Sequence, residues 1–215
     1  MNQALLNESK HNHAHHFGSA EHEFETCKLG MWVFLVQEVL FFSGVFVLYA
    51  YFRYLYPNMF VEASSHLSWK MGAINTLFLI LSSFTMVMGV RYAQLKDSLK
   101  CFKYLTVTFL FATAFLVVKF FEYMEKIHHG YLPSIWFSAD TTFDTMHIFF
   151  GCYFFMTGLH GLHVIVGMGL ILWLMIRAYK GEFSTGYFTP VEMVGLYWHL
   201  VDLIWIFLFP LLYLI

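Results

Sequence analysis

The stretch 157-TGLHGLHVIVG-167 lies within a long apolar run, residues 146–177. It places His160 and His163 three positions apart, which brings them to one face of a helix. The run exceeds the roughly 20 residues that span about 30 Å of hydrocarbon. Imidazole groups at that depth are costly and are usually functional. The stretch therefore predicts a transmembrane helix that carries two polar side chains in need of partners.

The composition extends this prediction to the whole chain. Of its 215 residues, 59% are hydrophobic and 12% are charged, whereas roughly half of a soluble domain is apolar and roughly a quarter is charged. Continuous apolar runs without strict alternation favour helices over a membrane barrel. We predict an all-α polytopic membrane protein, a bundle of five transmembrane helices. The predicted spans are 30–54, 71–93, 103–124, 146–177 and 194–214.

Basic residues near the ends of the spans indicate the orientation of the bundle. Most of them lie between the second and third spans or follow the fourth: Arg91, Lys96, Lys100, Lys103, Arg177 and Lys180. Because cytoplasmic loops carry an excess of Lys and Arg, we expect the N-terminus inside and the C-terminus outside. The formal net charge of −2 gives no reason to expect a nucleic-acid partner.

Residues 1–29 form a polar segment before the first span. This segment is rich in histidine: His11, His13, His15 and His16. A metal could bind such a cluster loosely, but we interpret residues 1–29 as a solvated tail. Residues 30–215 then form the transmembrane domain.

Few ionisable residues fall inside the spans. Glu38 is interpreted either as a proton relay or as an acid hydrogen-bonded to a neighbouring helix. Glu192 opens the fifth span, and His199 and Asp202 share a face of it. These two could orient each other, although hydrogen bonds to another helix are favoured. Near the outer end of the third span, Lys119 and Glu122 are predicted to pair and to extend toward water.

The two histidines of the opening stretch have two interpretations. A zinc site needs three or four converging ligands, and the His-x-x-His spacing supplies two. Thr157 and Gly161 form a small-xxx-small pair, and Gly158 and Gly167 add further small positions. Such positions let a neighbouring backbone approach closely. Close helix packing, with hydrogen bonds from the imidazoles, is therefore favoured over a metal site.

Six features occur in the order and spacing of one known family: 28-KLGMWVFLVQEVLFFSG-44, 75-NTLFLILSS-83, 122-EY-123, 157-TGLHGLHVIVG-167, Arg177 and 192-EMVGLYWHLVDLIWIFLF-209. From about residue 28 to the C-terminus, the chain resembles subunit III of the haem–copper terminal oxidases, the cytochrome c/quinol oxidase subunit 3 family. It is similar to the five-helix form, which lacks the two N-terminal helices of the seven-helix form. Lys28 stands where the family commonly has arginine.

The resemblance implies a non-catalytic subunit with no haem, copper or other metal of its own. Haem and copper would lie in partner subunits, above all in catalytic subunit I, which reduces O₂ to water and pumps protons. Subunit III would stabilise that subunit and support proton uptake from the inner side. The implied location is the bacterial inner membrane, with bound phospholipid.

The resemblance also implies roles for particular residues. Glu38 matches a buried glutamate that carbodiimide reagents modify in relatives, and Arg177 matches a residue that contacts lipid headgroups, a role also expected of Lys28. The remaining matches imply buried residues with structural or proton-related roles: His160, His163, Glu192, His199 and Asp202. No catalytic, cofactor-binding or metal-ligating residue is expected.

Two alternatives remain open from the sequence. One is an accessory subunit of a related reductase, such as a nitric oxide reductase. The other is a di-metal membrane enzyme that uses Glu38, Glu122, His160, His163 and His199. Neither the electron donor, cytochrome c or quinol, nor the haem type is encoded in this chain.

Overall fold

The computed structural model describes residues 19–133, 137 and 143–215. The histidines at positions 11–16 lie outside the described residues. Within the described part, the chain folds into α-helices and one 3₁₀ turn, Glu182–Thr185. The helices are α1 (Ala20–Leu55), α2 (Pro57–Ser65), α3 (Trp69–Gln94), α4 (Ser98–His128), α5 (Met146–Tyr179) and α6 (Thr189–Tyr213).

Five of these helices are long and apolar enough to cross a membrane, namely all but α2. The predicted fold class is therefore confirmed. Most helices extend beyond the predicted spans into their polar end turns, and α1 and α4 have side-chain N-caps. At the start of α1, the Ser19 hydroxyl accepts a hydrogen bond from the His22 amide at 3.1 Å, so residues 20–29 of the expected tail are helical.

The connection between α3 and α4 is a tight turn. Lys96 adopts a left-handed backbone conformation, with a φ of 61°. Asp97 caps α4, since its carboxylate accepts a hydrogen bond from the Lys100 amide at 3.0 Å. This hydrogen bond lowers the pKa of the Asp97 carboxyl, because it stabilises the charged form. The turn sets α3 and α4 side by side as an antiparallel pair.

Four helices form the centre of the bundle, and α1 lies at its edge. α3 packs along α4 and α6, and α5 closes the ring by packing against α4 and α6. α1 rests on α6 and, over a shorter length, on α5. Only 11% of the most apolar stretch of α1 is buried, compared with 50% of that of α6. α6 is therefore the central helix.

Hydrogen bonds from ring nitrogens on α6 reach hydroxyl groups on α3. The Trp198 indole donates to Ser82 at 3.1 Å, and the Trp205 indole donates to Thr76 at 3.0 Å. Both indoles are fully or almost fully buried. Because lipid offers no alternative partner, such bonds hold two membrane helices in one register.

Of the glycines predicted to pack closely along α5, Gly167 does so and Gly158 and Gly161 do not. A Cβ on Gly161 would meet nothing within 4 Å, and one on Gly158 would meet only the Tyr123 hydroxyl at 3.9 Å. A Cβ on Gly167 would instead lie 2.8 Å from the Trp198 ring. The prediction of close packing at Gly158 and Gly161 was wrong, because these residues face a groove. The large indole of α6 needs the space at Gly167.

Substituting Gly167 therefore tests the packing of α5 on α6. Overpacking a tight contact costs about 1–3 kcal/mol, so we expect Gly167→Ala to lower the melting temperature by roughly 3–10 °C. Thermal unfolding of the detergent-solubilised protein measures this change. Gly161→Ala is the matched control and should leave the melting temperature within about 2 °C of wild type. Equal melting temperatures for the two variants would contradict the assigned packing.

Candidate functional site

Glu38 and His163 form an ion-pair-type contact between α1 and α5. The Oε2 atom of Glu38 lies 3.0 Å from Nε2 of His163, and their side chains are 12% and 18% exposed. The Phe42 ring packs edge-on against the imidazole at a centroid distance of 5.1 Å. The pair joins the peripheral helix to the central bundle within the apolar part of both helices.

The second nitrogen of His163 determines how many protons this contact holds. Nδ1 lies 2.8 Å from the carbonyl oxygen of Leu159, and a carbonyl oxygen can only accept. Nδ1 must therefore carry a proton. The contact between Nε2 and Glu38 then needs one further proton, which belongs either to an imidazolium beside a carboxylate or to a carboxylic acid beside a neutral imidazole. Both arrangements have no net charge, which suits an apolar site.

His160 has a different environment from His163. It is fully buried, and its imidazole packs against the rings of Phe115 and Trp205 at centroid distances of 5.6 and 5.2 Å. Within the described residues, neither ring nitrogen has a hydrogen-bond partner. The expected hydrogen bonds are therefore found for His163 and not for His160.

His199 and Asp202 do not pair with each other. His199 Nδ1 lies 2.7 Å from the Ser83 hydroxyl on α3, so its hydrogen bond runs to another helix. Asp202 is 4% exposed, and neither carboxyl oxygen has a hydrogen-bond partner within the part of the chain described. Glu192 is half-buried in the first turn of α6. Glu192, His199 and Asp202 therefore lie in this order along α6, starting from its first turn.

Lys119 and Glu122 are buried, and the prediction that they extend toward water was wrong. Their exposures are 7% and 0%, and Lys119 Nζ lies 3.0 Å from Glu122 Oε2. Tyr213 connects the two groups: Lys119 donates to its hydroxyl at 2.6 Å, and that hydroxyl donates to Glu122 at 2.5 Å. Because the end of α6 supplies this partner, both charges are satisfied inside the bundle.

Aromatic rings surround the Lys119 ammonium. Nζ lies 4.9 Å from the ring centroids of Tyr153 and Trp205 and 5.3 Å from that of Tyr213. Tyr153 also accepts a hydrogen bond from Nζ at 3.3 Å. The electron-rich ring faces stabilise a cation, so this cluster replaces the water that the ammonium loses. Sequence reasoning missed the cluster, since Tyr153 and Tyr213 lie in apolar runs where tyrosine looks like packing.

Lys28 and Arg177 lie at the end of the bundle where α1 begins and α5 ends. Arg177 Nε donates to Glu182 Oε2 at 2.6 Å, and its guanidinium lies 4.8 Å from the Trp173 ring centroid. Lys28 Nζ is 6.0 Å from the ring centroid of Phe24. The charge of Arg177 is thus partly offset within the chain.

Tyr187 links the same end of the bundle to α1. Its hydroxyl donates to Glu23 at 3.3 Å. Burial, together with the nearby Glu23 carboxylate, raises the pKa of Tyr187 to about 12. The hydroxyl therefore stays protonated as a donor throughout the physiological pH range.

The residues proposed for a di-metal site are divided among separate contacts. Glu38 meets His163, Glu122 meets Lys119, and His199 meets Ser83. Across residues 19–133, 137 and 143–215, no group of three or more His, Cys, Asp or Glu side chains is arranged to hold a metal ion. The geometry does not bring the di-metal ligand set together.

The fold and these contacts define a polytopic helical membrane protein whose intramembrane ionisable groups are mostly held by partners on its own helices. The family described as Cytochrome c oxidase subunit III matches residues 5–215. The chain therefore belongs to the cytochrome c oxidase subunit III family. It is a subunit of a haem–copper terminal oxidase complex.

Individual relatives match most of the chain. Cytochrome c oxidase subunit 3 of Thermostichus vulcanus is 34% identical over 188 residues, which are 87% of this chain and 86% of the relative. The subunit 3 of a Synechocystis species is 33% identical over 86% of this chain and 74% of the relative. A probable cytochrome c oxidase subunit 3 of Mycobacterium bovis is 33% identical over 87% of both chains.

Removing the cation from the buried pair tests its contribution to stability. Lys119→Met leaves Glu122 as a buried carboxylate without its cation, and breaking such a pair typically costs about 3–5 kcal/mol. We expect the melting temperature of the detergent-solubilised protein to fall by roughly 6–15 °C.

The double variant Lys119→Met/Glu122→Gln is the control for this experiment. It removes both charges and keeps a group that accepts from Tyr213, so it should recover most of the lost stability. A double variant no more stable than Lys119→Met would contradict the pairing.

Proposed function

We propose that this chain is the non-catalytic subunit III of a bacterial respiratory oxidase, which stabilises the catalytic subunit I and supports proton uptake during O₂ reduction to water. Its place is the bacterial inner membrane, with the N-terminus inside and the C-terminus outside. Residues 1–29 are assigned to a polar segment and 30–215 to the membrane domain. Haem and copper belong to the partner subunits. The names of the relatives favour cytochrome c as the electron donor.

The contact between Glu38 and His163 carries the proton-related part of the proposal. Its two groups, 3.0 Å apart, share one proton at zero net charge. Moving that proton along the contact creates or removes a charge pair without changing the total charge of the site. A pair without net charge is less costly in hydrocarbon than a lone carboxylate, which suits a proton-related role.

A groove beside this pair supports the expected phospholipid. It lies between α1, α5 and α6, has a volume of about 370 Å³, and is lined by apolar side chains, including Met31, Phe34 and Leu170, together with His163. Met31 lies one helical turn beyond Lys28. We infer that an acyl chain occupies the groove and that the headgroup phosphate lies near Lys28 and Arg177.

Purification of the intact complex tests the proposed function. A tagged chain, solubilised in a mild detergent, should bring down a haem-bearing subunit with copper. The reduced-minus-oxidised optical spectrum should show haem, and the assembly should oxidise cytochrome c faster than quinol with O₂ as acceptor. Intact complexes without a haem-bearing subunit would refute the proposal, and a preference for NO over O₂ would identify a reductase instead.

Replacement of Glu38 tests its role within that complex. The amide of Gln can still donate to His163, so Glu38→Gln should assemble normally. It should lose labelling by a hydrophobic carbodiimide, and its activity should decline faster during sustained turnover than that of wild type. Glu62→Gln, on the short helix α2, is the control and should match wild type in both measurements. Failure of Glu38→Gln to assemble would show that the residue is structural.

A further inference from the structure

A groove between α3 and α6 is lined by several ionisable side chains. Its volume is about 250 Å³. Arg91, Gln94 and Glu192 line it near the end where α6 begins, and His199 lines it farther along. On the rim, the Val87 side chain is 49% exposed. The groove therefore presents ionisable groups on the outer surface of the bundle.

His199 lies well inside α6, a helix long and apolar enough to cross a membrane. It lies about ten residues beyond the start of α6, which is roughly 15 Å along the helix. Its Nδ1 is bonded to the Ser83 hydroxyl at 2.7 Å. In the part of the chain described, no second hydrogen bond to the imidazole is found, so Nε2 is left without one, and the residue lines the groove. Lipid tails cannot hydrogen-bond this nitrogen, and headgroups do not reach this depth.

Glu192, nearer the start of α6, also has a polar atom without a hydrogen-bond partner in the described residues. Its Oε2 is buried and has no hydrogen-bond partner within residues 19–133, 137 and 143–215. Arg91 lines the same groove without a salt bridge to Glu192. A partner that supplies polar side chains at two levels, about two helical turns apart, would satisfy both residues.

Two larger grooves with more apolar linings lack such unsatisfied groups. The groove between α4 and α5, of about 760 Å³, is lined by Lys119, Tyr123 and Thr157. Lys119 is bonded to Glu122, and Tyr123 is bonded to Thr157 at 2.5 Å. In the groove beside α1, His163 is bonded to Glu38. Lipid can cover both of these grooves without leaving a polar group unpaired.

We propose that the groove between α3 and α6 is the surface on which another membrane subunit of the oxidase docks. The partner is a transmembrane helix of the haem-bearing subunit, with polar side chains at the levels of His199 and Glu192. Polar groups on membrane helices recognise other helices because hydrocarbon leaves them unpaired. The inference rests on the proposed function, since it takes the partner to be an oxidase subunit.

Bulky substitutions on two matched valines test the docking surface. Val87→Trp fills the rim of the groove between α3 and α6, and Val117→Trp fills the groove between α4 and α5; the two valines are 49% and 47% exposed. We expect Val87→Trp to reduce the haem-bearing subunit recovered with the tagged chain by roughly fivefold or more. Val117→Trp should recover wild-type amounts. Melting temperatures of the isolated variants confirm that both still fold.

A second pair of variants tests the docking surface without introducing a bulky tryptophan. His199→Leu removes the polar group that faces the groove and should reduce recovery, whereas Leu110→Ala, on an exposed face of α4, should not. Equal recovery with Val87→Trp and Val117→Trp, or greater loss with Val117→Trp, would overturn the assigned surface. If the wild-type chain recovers no haem-bearing subunit, the proposed function fails before the surface is tested.

Discussion

The absence of water in the hydrocarbon core is the constraint on which this structure depends. A polar side chain at that depth is costly unless protein supplies a partner, because a helix satisfies only its own backbone. The side chains therefore decide how the helices pair. Trp198 and Trp205 on α6 reach Ser82 and Thr76 on α3, and Tyr213 reaches the buried ion pair on α4. α6 is central because it supplies most of these polar partners.

The two intramembrane ion pairs are stabilised in different ways. Lys119 and Glu122 are neighbours on one helix, and a tyrosine hydroxyl together with surrounding aromatic rings stabilises them. Glu38 and His163 come from different helices and share a proton. The first pair suits a permanent structural role. The second joins two helices across their interface and is the pair on which the proposed proton-related role rests.

The five spans could be predicted because each apolar run exceeds the membrane thickness, independently of its neighbours. The hydrogen-bond partners of the polar residues could not be predicted from the sequence. His160 and His163 are three positions apart, yet His160 faces the core near Trp205 and His163 faces α1. Gly161 and Gly167 look equivalent in sequence, but only Gly167 meets an indole. Such differences depend on how neighbouring helices are rotated and shifted, which local spacing does not encode.

The most direct test of this account is a double-mutant cycle between Glu38 and His163. The melting temperature of the assembled complex would be measured for wild type, Glu38→Leu, His163→Leu and the double variant. We predict that the two substitutions are not additive and that their coupling energy is roughly 0.6–2 kcal/mol. Additive effects of the two substitutions would contradict the claim that this contact joins α1 to the bundle.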